Sequence, residues 1–241
     1  MSRLLTKQEA NKLREIINDY QLNPAVMKQF QESNFAVIAG PAGAGKDTLR
    51  NSLIRSNPEL YLPILSTTTR PPRAGEADDQ DYHFREVEEV EEGLAKREFF
   101  QAALVHDQQV SCLHISEVKK LKAGQTGLSI LIPYTEKMLR DIKPDIKTVF
   151  LIPPNLEVLK ERIQSERMLD DAEVERRVKA AAKEIEQALK SDHYYCLITD
   201  TVEHVTRNTH NYLQGSKPDQ PEDLSARHAM RQIVLELSYE R

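Results

Sequence analysis

A glycine-rich segment between an apolar run and a helical pattern constrains this chain more than any other feature. Residues 35–39 form a short apolar run, and Gly40-Pro41-Ala42-Gly43-Ala44-Gly45 follows it directly. A stretch with helical character then begins at Lys46 and continues to residue 55. This order predicts a strand, a tight loop and a helix.

Similar apolar runs recur along the chain and alternate with helix-compatible segments. The runs lie at residues 62–65, 127–132, 148–152 and 195–198, and the clearest helical segments lie at residues 156–163 and 171–189. Strands that alternate with helices predict an α/β fold in which a central parallel sheet is covered by helices on both faces, giving three layers.

The two ends of the chain depart from this alternation. Residues 1–34 predict a helical extension that breaks at Asn23-Pro24, because apolar residues recur there at helical spacing between charged ones. Residues 214–223 are rich in turn formers and predict a linker before a last helix at about residues 224–237. We expect both terminal helices to pack on their own domain, with a surface for a homodimer or another partner as the alternative.

Length, charge and cysteine content exclude several classes of protein. A chain of 241 residues fits one large domain, or one ordinary domain with additions. A net charge of -5 argues against general binding of nucleic acid polymers. No stretch predicts a membrane span and the charged start does not resemble a secretory signal, so we expect a cytoplasmic protein. Cys112 and Cys196 lack metal-ligand spacing and predict buried free thiols.

The glycine-rich segment also predicts a chemistry. Gly40-x4-Gly45-Lys46 has the spacing of a phosphate-binding loop, in which backbone N–H groups and the following helix N-terminus face the phosphates and the lysine neutralises them. We therefore expect ATP to bind at residues 40–48, with Lys46 taking part in catalysis. The competing interpretation, a glycine turn between strand and helix, is disfavoured by the spacing.

One position in this loop is unusual. The residue after the lysine is normally Ser or Thr, whose hydroxyl holds Mg²⁺, but here it is Asp47, with Thr48 next. A carboxylate is a suitable Mg²⁺ ligand, and without the ion it would repel the phosphates. Asp47 is therefore the predicted metal ligand, and nucleotide binding is expected to depend strongly on Mg²⁺.

A second motif contains groups that could hold another phosphate. Within residues 66–84, Arg70, Arg73 and Tyr82 are the residue types that bind a phosphate through fork-like hydrogen bonds and a phenolic donor. Together with the glycine loop, this segment resembles the guanylate kinase family, whose motif runs TTRxPRxGExxGxDYxF. The match has no gap, and only Asp79 replaces a family glycine.

This resemblance covers about residues 35–213 and has several implications. It implies a P-loop kinase fold with ATP and Mg²⁺ as cofactors, a small acceptor-binding subdomain at about residues 66–126 and a lid at about residues 164–175. It further implies that Arg162 and Arg177 clamp the phosphates during transfer, and that Ser66 faces the acceptor base. The lid arginine of the family is replaced by Glu166, beside Arg167.

The chain departs from the family where the acceptor base would bind. Alignment puts Gln101 at the position of the family carboxylate, Val110 at the tyrosine and Cys112 at the hydroxyl. Guanine presents two adjacent N–H donors that suit a carboxylate, whereas Gln101 supplies one acceptor beside a donor. The two acids of the family's DIDVQG stretch are replaced by Ile130 and Ile132. An altered acceptor pocket is therefore expected.

Three classes of function remain open from the sequence. The first is a kinase that moves the γ-phosphoryl group of ATP to a small phosphorylated acceptor, either GMP or another nucleoside monophosphate. A sugar-phosphate acceptor is the alternative, because ribose bisphosphate phosphokinases are similar relatives with an aspartate after the loop lysine. The second is a non-catalytic module like those of scaffold proteins, disfavoured because such modules usually lose the glycine loop. The third is a nucleotide-binding regulator without turnover.

Overall fold

The structure, a computed structural model, describes residues 4–73, 75–105, 107–165 and 171–239. The strands are β1 (Phe35–Ala39), β2 (Tyr61–Ile64), β3 (Thr67–Thr68), β4 (His83–Phe84), β5 (Phe99–Val105), β6 (Gln109–His114), β7 (Thr126–Ile130), β8 (Lys147–Ile152) and β9 (Tyr194–Ile198). The helices are α1 (Lys7–Asn18), α2 (Pro24–Glu32), α3 (Lys46–Ser56), α4 (Val87–Ala95), α5 (Ile115–Lys119), α6 (Pro133–Ile142), α7 (Leu156–Ser165), α8 (Asp171–Leu189), α9 (Val202–Leu213) and α10 (Gln220–Tyr239).

A five-stranded sheet with strand order β2-β7-β1-β8-β9 forms the centre of the fold. β1 and β8 run parallel with Ala39 opposite Phe150, and β8 and β9 run parallel with Ile152 opposite Ile198. Every residue of β1 is buried, which shows that both faces of this strand are covered. The predicted α/β fold with a helix-covered parallel sheet is confirmed.

The chain divides into two compact units. The first unit consists of Met1–Asn34, Leu62–Ser129 and Lys137–Asp145. The second unit consists of Phe35–Tyr61, Ile130–Glu136 and Ile146–Arg241. The N-terminal extension therefore groups with the segment in which the acceptor subdomain was predicted.

In the first unit, a four-stranded sheet with order β4-β3-β6-β5 packs against the N-terminal helices. Thr6 caps α1 through a capping box with Glu9. Leu13 of α1 is fully buried in a cluster with α4 and the sheet. Asn23 and Pro24 end the extended connection after α1 and begin α2, because an asparagine cap followed by proline suits a helix start.

The last helix of the second unit begins earlier than predicted. α10 starts at Gln220 rather than near residue 224, so the predicted linker shortens to residues 214–219. Pro221 lies in the first turn, where a proline removes no helical hydrogen bond. The Asp219 carboxylate accepts the Glu222 N–H at 3.2 Å and so caps this turn. α10 packs on β9, α8 and α7, so it is an integrated part of this unit.

Among the residues that the structure describes, no helix combines the length and the apolar character needed to cross a membrane.

The burial of α1 generates a stability prediction. Leu13 is 0% exposed, so Leu13→Ala should lower the free energy of unfolding by about 2 to 5 kcal/mol. Urea denaturation measures this change, with Glu15→Ala on the exposed face of the same helix as the control. Equal midpoints for the two variants would show that α1 does not stabilise the folded chain.

Candidate functional site

The glycine loop of the second unit leaves the carboxyl end of β1 and passes very close to β8. Gly40 has a φ of +144°, and a Cβ at this position would lie 2.5 Å from the Leu151 carbonyl oxygen. Gly43 has a φ of +75°, and its Cβ would lie 3.1 Å from the Cβ of Arg162. A side chain at Gly40 would require the backbone to move, so the tight loop depends on glycine there.

Lys46 is the first residue of α3 and reaches back over its own loop. Its ammonium group donates a hydrogen bond to the Pro41 carbonyl at 2.7 Å. The side chain therefore folds back to the start of the loop, where the Pro41 carbonyl also accepts the Ala44 N–H at 3.2 Å. Phosphate binding by residues 40–48 and a catalytic role for Lys46 stay predictions.

Asp47, the predicted metal ligand, lies in the first turn of α3. Its side chain is 71% exposed, and the carboxylate forms an ion pair with the buried Arg50 at 3.0 Å. An acid in a first helical turn is favourably placed, and the ion pair restrains it further. The role of Asp47 in metal binding stays a prediction.

A cavity of about 330 Å³ lies beside the glycine loop within the second unit. It is lined by Gly43, Gly45, Thr48, Leu49, Leu151, Arg162, Ser165, Thr199, Asp200, Thr201, Val202 and Val205. The volume is in the range of small-ligand pockets. Apolar side chains and polar groups both line it, and the cavity adjoins the loop predicted to bind phosphates. We refer to it as the donor cavity.

Arg162 forms part of the wall of the donor cavity. Its guanidinium donates to the hydroxyl oxygen of Thr199 at 2.7 Å and to the Thr199 carbonyl at 2.9 Å. The Thr199 hydroxyl donates in turn to the Ile152 carbonyl at 3.3 Å. Arg162 therefore lies beside the glycine loop, and its predicted role as a phosphate clamp stays a prediction. Thr199 is a contact that the sequence did not indicate.

Arg177 lies on α8 and is held by a carboxylate of the same helix. Its Nε donates to Glu173 at 2.9 Å, and Arg176 also binds Glu173. The hydrogen bond from Arg176, supported by Arg177, lowers the pKa of Glu173 to about 2. Arg177 is absent from the described residues that line the donor cavity. The predicted lid includes residues 166–170, with Glu166 and Arg167, which lie outside the described residues.

The second phosphate motif lies in the first unit and is organised around Arg70. Two nitrogens of its guanidinium donate to the carboxylate of Glu76, at 2.5 and 3.0 Å. Its guanidinium carbon lies 4.7 Å from the ring centre of Tyr82. Glu76 also accepts the backbone N–H of Arg73 at 2.9 Å. Arg70, Arg73 and Tyr82 are thus brought together, with Ser66 buried before β3.

The backbone conformation at Asp79 explains why the family has a glycine at this position. Asp79 has a φ of +59°, in the left-handed region that favours glycine. Its carboxylate contacts His83 at 2.5 Å and Arg85 at 3.0 Å. The hydrogen bond from His83, followed by that from Arg85, lowers the pKa of Asp79. Aspartate tolerates this conformation better than most residues, and its side-chain bonds retain the turn.

Gln101 does not share a face with Val110 and Cys112, the two other positions that align with base-binding residues of the family. A bulge between Phe99 and Gln101 shifts the register by one residue, so Gln101 pairs with Leu113 instead of Cys112. A one-residue shift turns side chains to the opposite face of a sheet. Val110 and Cys112 lie in the hydrophobic cluster that includes Leu13. Both are fully buried, and burial raises the pKa of the Cys112 thiol.

Gln101 retains a polar group for a ligand. Its side-chain N–H donates to the Ser111 carbonyl at 3.3 Å, which fixes the orientation of the amide because a carbonyl only accepts. Its Oε1 is buried and accepts no hydrogen bond from the part of the chain that the structure describes. A buried acceptor without a donor is costly, so this oxygen suits an N–H or O–H group of a ligand.

Glu117 is a buried acid that the sequence did not indicate. Its carboxylate accepts the Leu65 N–H at 3.0 Å, contacts His83 Nε2 at 2.9 Å and binds Lys120. Burial alone would raise the pKa of Glu117, but the hydrogen bonds from His83, Lys120 and Leu65 outweigh it and hold the pKa at about 2. The hydrogen bond to Glu117 in turn raises the pKa of His83. The contact to Leu65 anchors the chain directly before Ser66.

Glu184 is a second acid that sequence reasoning missed. It lies two turns after Arg177 on α8, on the same side of the helix. Burial raises the pKa of Glu184 to about 7, and the positive charge of Lys46 opposes this shift. The only feature of the sequence that could have pointed to Glu184 is its spacing of seven residues from Arg177 on the same helix.

The raised pKa of Glu184 generates a prediction about pH. Its carboxyl group binds a proton more tightly in the folded chain than a glutamate with the ordinary pKa of 4.5 does. The free energy of unfolding should therefore fall by about 1 to 3 kcal/mol as the pH rises from about 4.5 to 7. Glu184→Gln should remove this contribution in urea denaturation at several pH values. Glu161→Gln, an exposed acid on α7, is the control, and parallel profiles for the two variants would contradict the prediction.

Comparison with known proteins agrees with this geometry. The sequence model of the Guanylate kinase family matches residues 32–216. A guanylate kinase of Clostridioides difficile (strain 630) is 34% identical over 158 residues, which cover 66% of this chain and 77% of that protein. A guanylate kinase of Synechococcus sp. (strain ATCC 27144) is 32% identical over 167 residues, covering 69% of this chain and 90% of that protein.

A solved structure has the same fold. The crystal structure of guanylate kinase from Anaplasma phagocytophilum matches with a TM-score of 0.59 and 19% identity, covering 88% of this chain and 96% of that one. The predicted resemblance is confirmed by the extent of the family match and by the identity to the curated relatives. The chain belongs to the guanylate kinase family, a family of P-loop nucleoside monophosphate kinases.

Proposed function

We propose that this protein transfers the γ-phosphoryl group of ATP to a nucleoside monophosphate, with GMP as the first acceptor to test. The observation that carries the proposal is that both phosphate-binding motifs are present and locally organised. One is the glycine loop with Lys46, beside the donor cavity. The other is the set of Arg70, Arg73 and Tyr82, arranged around Glu76.

The residues of the second unit fit ATP. The loop approaches β8 too closely at Gly40 for a side chain, and the Lys46 ammonium group lies against the Pro41 carbonyl of the same loop. Such a loop suits phosphates, and the apolar part of the donor cavity, with Leu49 and Val205, suits a base. Lys46 would exchange the Pro41 carbonyl for a phosphate oxygen.

The oxygen donors near the loop also fit Mg²⁺, although with fewer protein acids than is usual. Asp47 and the Thr48 hydroxyl would hold the ion together with phosphate oxygens and water. Ile130 and Ile132 offer no carboxylate at the positions where the family has acids. When bound, Mg²⁺ would neutralise charge on the β- and γ-phosphates.

The protein's own part in the reaction is positioning and charge neutralisation. An oxygen of the acceptor phosphate would attack the γ-phosphorus, and ADP would leave with the bond between the β- and γ-phosphates broken. Lys46, Arg162 and Arg177 would stabilise the charge that spreads over the transferred group. Arg162 would leave Thr199 to do so, and Arg177 would move away from Glu173.

The acceptor would be held at its phosphate by Arg70, Arg73 and Tyr82 and near its base by Ser66 and Gln101. The unpartnered Oε1 of Gln101 can accept one N–H from a base, whereas a carboxylate can accept two. Recognition of guanine would therefore be weaker than with an acid at this position. Another nucleoside monophosphate with a single N–H donor at this edge would fit equally well.

A sugar phosphate is the second candidate acceptor. The observation that favours it is the burial of Val110 and Cys112, the residues aligned with the family's base-binding tyrosine and hydroxyl, in the cluster with Leu13. Neither can then hydrogen-bond a base. A nucleotide-binding regulator without turnover is the third candidate, favoured by Ile130 and Ile132 in place of the family acids.

Acceptor preference is the central prediction. In an assay of ATP consumption with GMP, dGMP, AMP, CMP, UMP and ribose 1,5-bisphosphate, we expect turnover of at least one nucleoside monophosphate. Lys46→Ala should lower kcat/KM by at least about 100-fold, because it removes a charge that is most needed in the transition state. Turnover of ribose 1,5-bisphosphate alone would favour the sugar-phosphate kinase. Turnover of nothing, with ATP still bound in calorimetry, would favour the regulator.

A second prediction concerns the metal. Isothermal titration of ATP should give a dissociation constant at least about 10-fold lower with Mg²⁺ than without it, because Asp47 repels the phosphates unless an ion lies between them. Asp47→Asn should reduce this ratio, since the amide neither repels the phosphates nor binds the ion well. Asp141→Asn, at an exposed acid of α6, is the control. Equal affinities with and without Mg²⁺ would contradict the assignment of Asp47.

A further inference from the structure

Three side chains connect the wall of the donor cavity to the C-terminal helix. Asp200 lies in the wall, two residues after the end of β9. His204 Nδ1 lies 3.0 and 2.9 Å from the two carboxylate oxygens of Asp200. His204 Nε2 lies 2.6 Å from a carboxylate oxygen of Glu222 on α10. A single imidazole ring therefore bridges two carboxylates on different elements.

Glu222 is firmly held in this arrangement. Its second oxygen accepts hydrogen bonds from the Tyr195 hydroxyl at 2.9 Å and from the Asn208 amide at 2.6 Å. Because α10 begins at Gln220, it lies beyond residue 216, where the match to the family ends. The contact to His204 is thus made by a part of the chain that the family match does not include.

The segment that carries Asp200 is restrained from two sides. On one side Arg162 donates two hydrogen bonds to Thr199. On the other side His204 binds Asp200, whose carboxylate also accepts the Thr201 N–H at 2.6 Å. Thr199, Asp200 and Thr201 all line the donor cavity, so both restraints fix the shape of its wall.

We propose that Glu222 and His204 are positioning residues of the donor site, through which the C-terminal helix α10 fixes the cavity wall and tightens nucleotide binding. This inference rests on the proposed role of the donor cavity in ATP binding. Neither residue needs to touch the nucleotide, because each acts through Asp200. The helix α10 is then a functional part of the enzyme as well as a packing element.

The bridge depends on the charge of His204. The charged groups that face it are Asp200, from the connection after β9, and Glu222, from α10. Two carboxylates accept at both ring nitrogens only when both nitrogens carry protons. The hydrogen bond to Asp200, followed by that to Glu222, raises the pKa of His204. The bridge is therefore complete at low pH and is lost as the pH rises through this raised value.

Calorimetric titration of ATP with Mg²⁺ tests the proposal without requiring turnover. Glu222→Gln presents an amide N–H to His204 in place of a carboxylate, and we expect the dissociation constant to rise about 3- to 10-fold. Glu236→Gln, an exposed acid on the same helix, is the matched control and should leave it unchanged. Tyr195→Phe removes a hydrogen bond to Glu222 but leaves the contact between Glu222 and His204. It therefore separates a general loss of stability around Glu222 from the loss of the bridge through His204. It should change the affinity less than Glu222→Gln does.

The pH dependence distinguishes a bridge from a purely structural contact. The wild-type dissociation constant should rise at pH values above about 6.5, relative to the Glu222→Gln variant, which should lack this rise. The ratio of the dissociation constants of the two proteins cancels the effect of the titration of ATP itself. The imidazole proton resonances should also show a lower pKa for His204 in Glu222→Gln, with His204→Gln used to assign the signal.

The outcomes separate this inference from the proposed function. If ATP binds but no acceptor is turned over, the proposed kinase activity fails and the calorimetry still decides the role of Glu222. Equal affinities for Glu222→Gln and Glu236→Gln, or parallel pH profiles for wild type and Glu222→Gln, would overturn the inference. Failure of the wild-type protein to bind ATP would overturn both.

Discussion

The close approach of Gly40 to the backbone of β8 is the constraint on which the donor site depends. Parallel pairing brings the ends of β1 and β8 side by side, with Ala39 opposite Phe150. The chain can then turn into α3 only if no side chain stands between Gly40 and the Leu151 carbonyl. The position of Lys46 and the inner surface of the loop follow from this contact. Glycine at position 40 is thus a requirement of packing before it is a requirement of phosphate binding.

The elements with the strongest patterns were predicted best from the sequence. The apolar run at residues 35–39 and the helical segment at residues 171–189 have the bounds of β1 and α8. The four-stranded sheet of the first unit was not predicted, because β3 and β4 contain only two residues each and show no periodicity. The start of α10 was placed too late, because Pro221 and its polar neighbours have the composition of a linker. Local composition did not distinguish a linker from a first helical turn.

The candidate site shows the same division between local and long-range information. The glycine loop and Lys46 were predicted because their spacing alone indicates phosphate binding, whereas Arg162 was predicted only from the resemblance to the family. Glu117 and Glu184 were missed because their importance comes from burial and from partners distant in sequence, such as His83 and Lys46. The face on which Gln101 lies could not be read from the sequence, because a single bulge in β5 changes the register and pairs Gln101 with Leu113. Such a bulge leaves no clear mark in the sequence.

The Pro41 carbonyl accepts a hydrogen bond from Lys46, at the position where a phosphate oxygen would otherwise accept it. A carbonyl carries no net charge, so an ion must offer more than a neutral oxygen to displace it. A small monoanion that replaces the Pro41 carbonyl offers Lys46 a single charge, whereas a triphosphate offers several charges and several oxygens at once. Selectivity for polyphosphates would begin with this one bond, before any base is recognised.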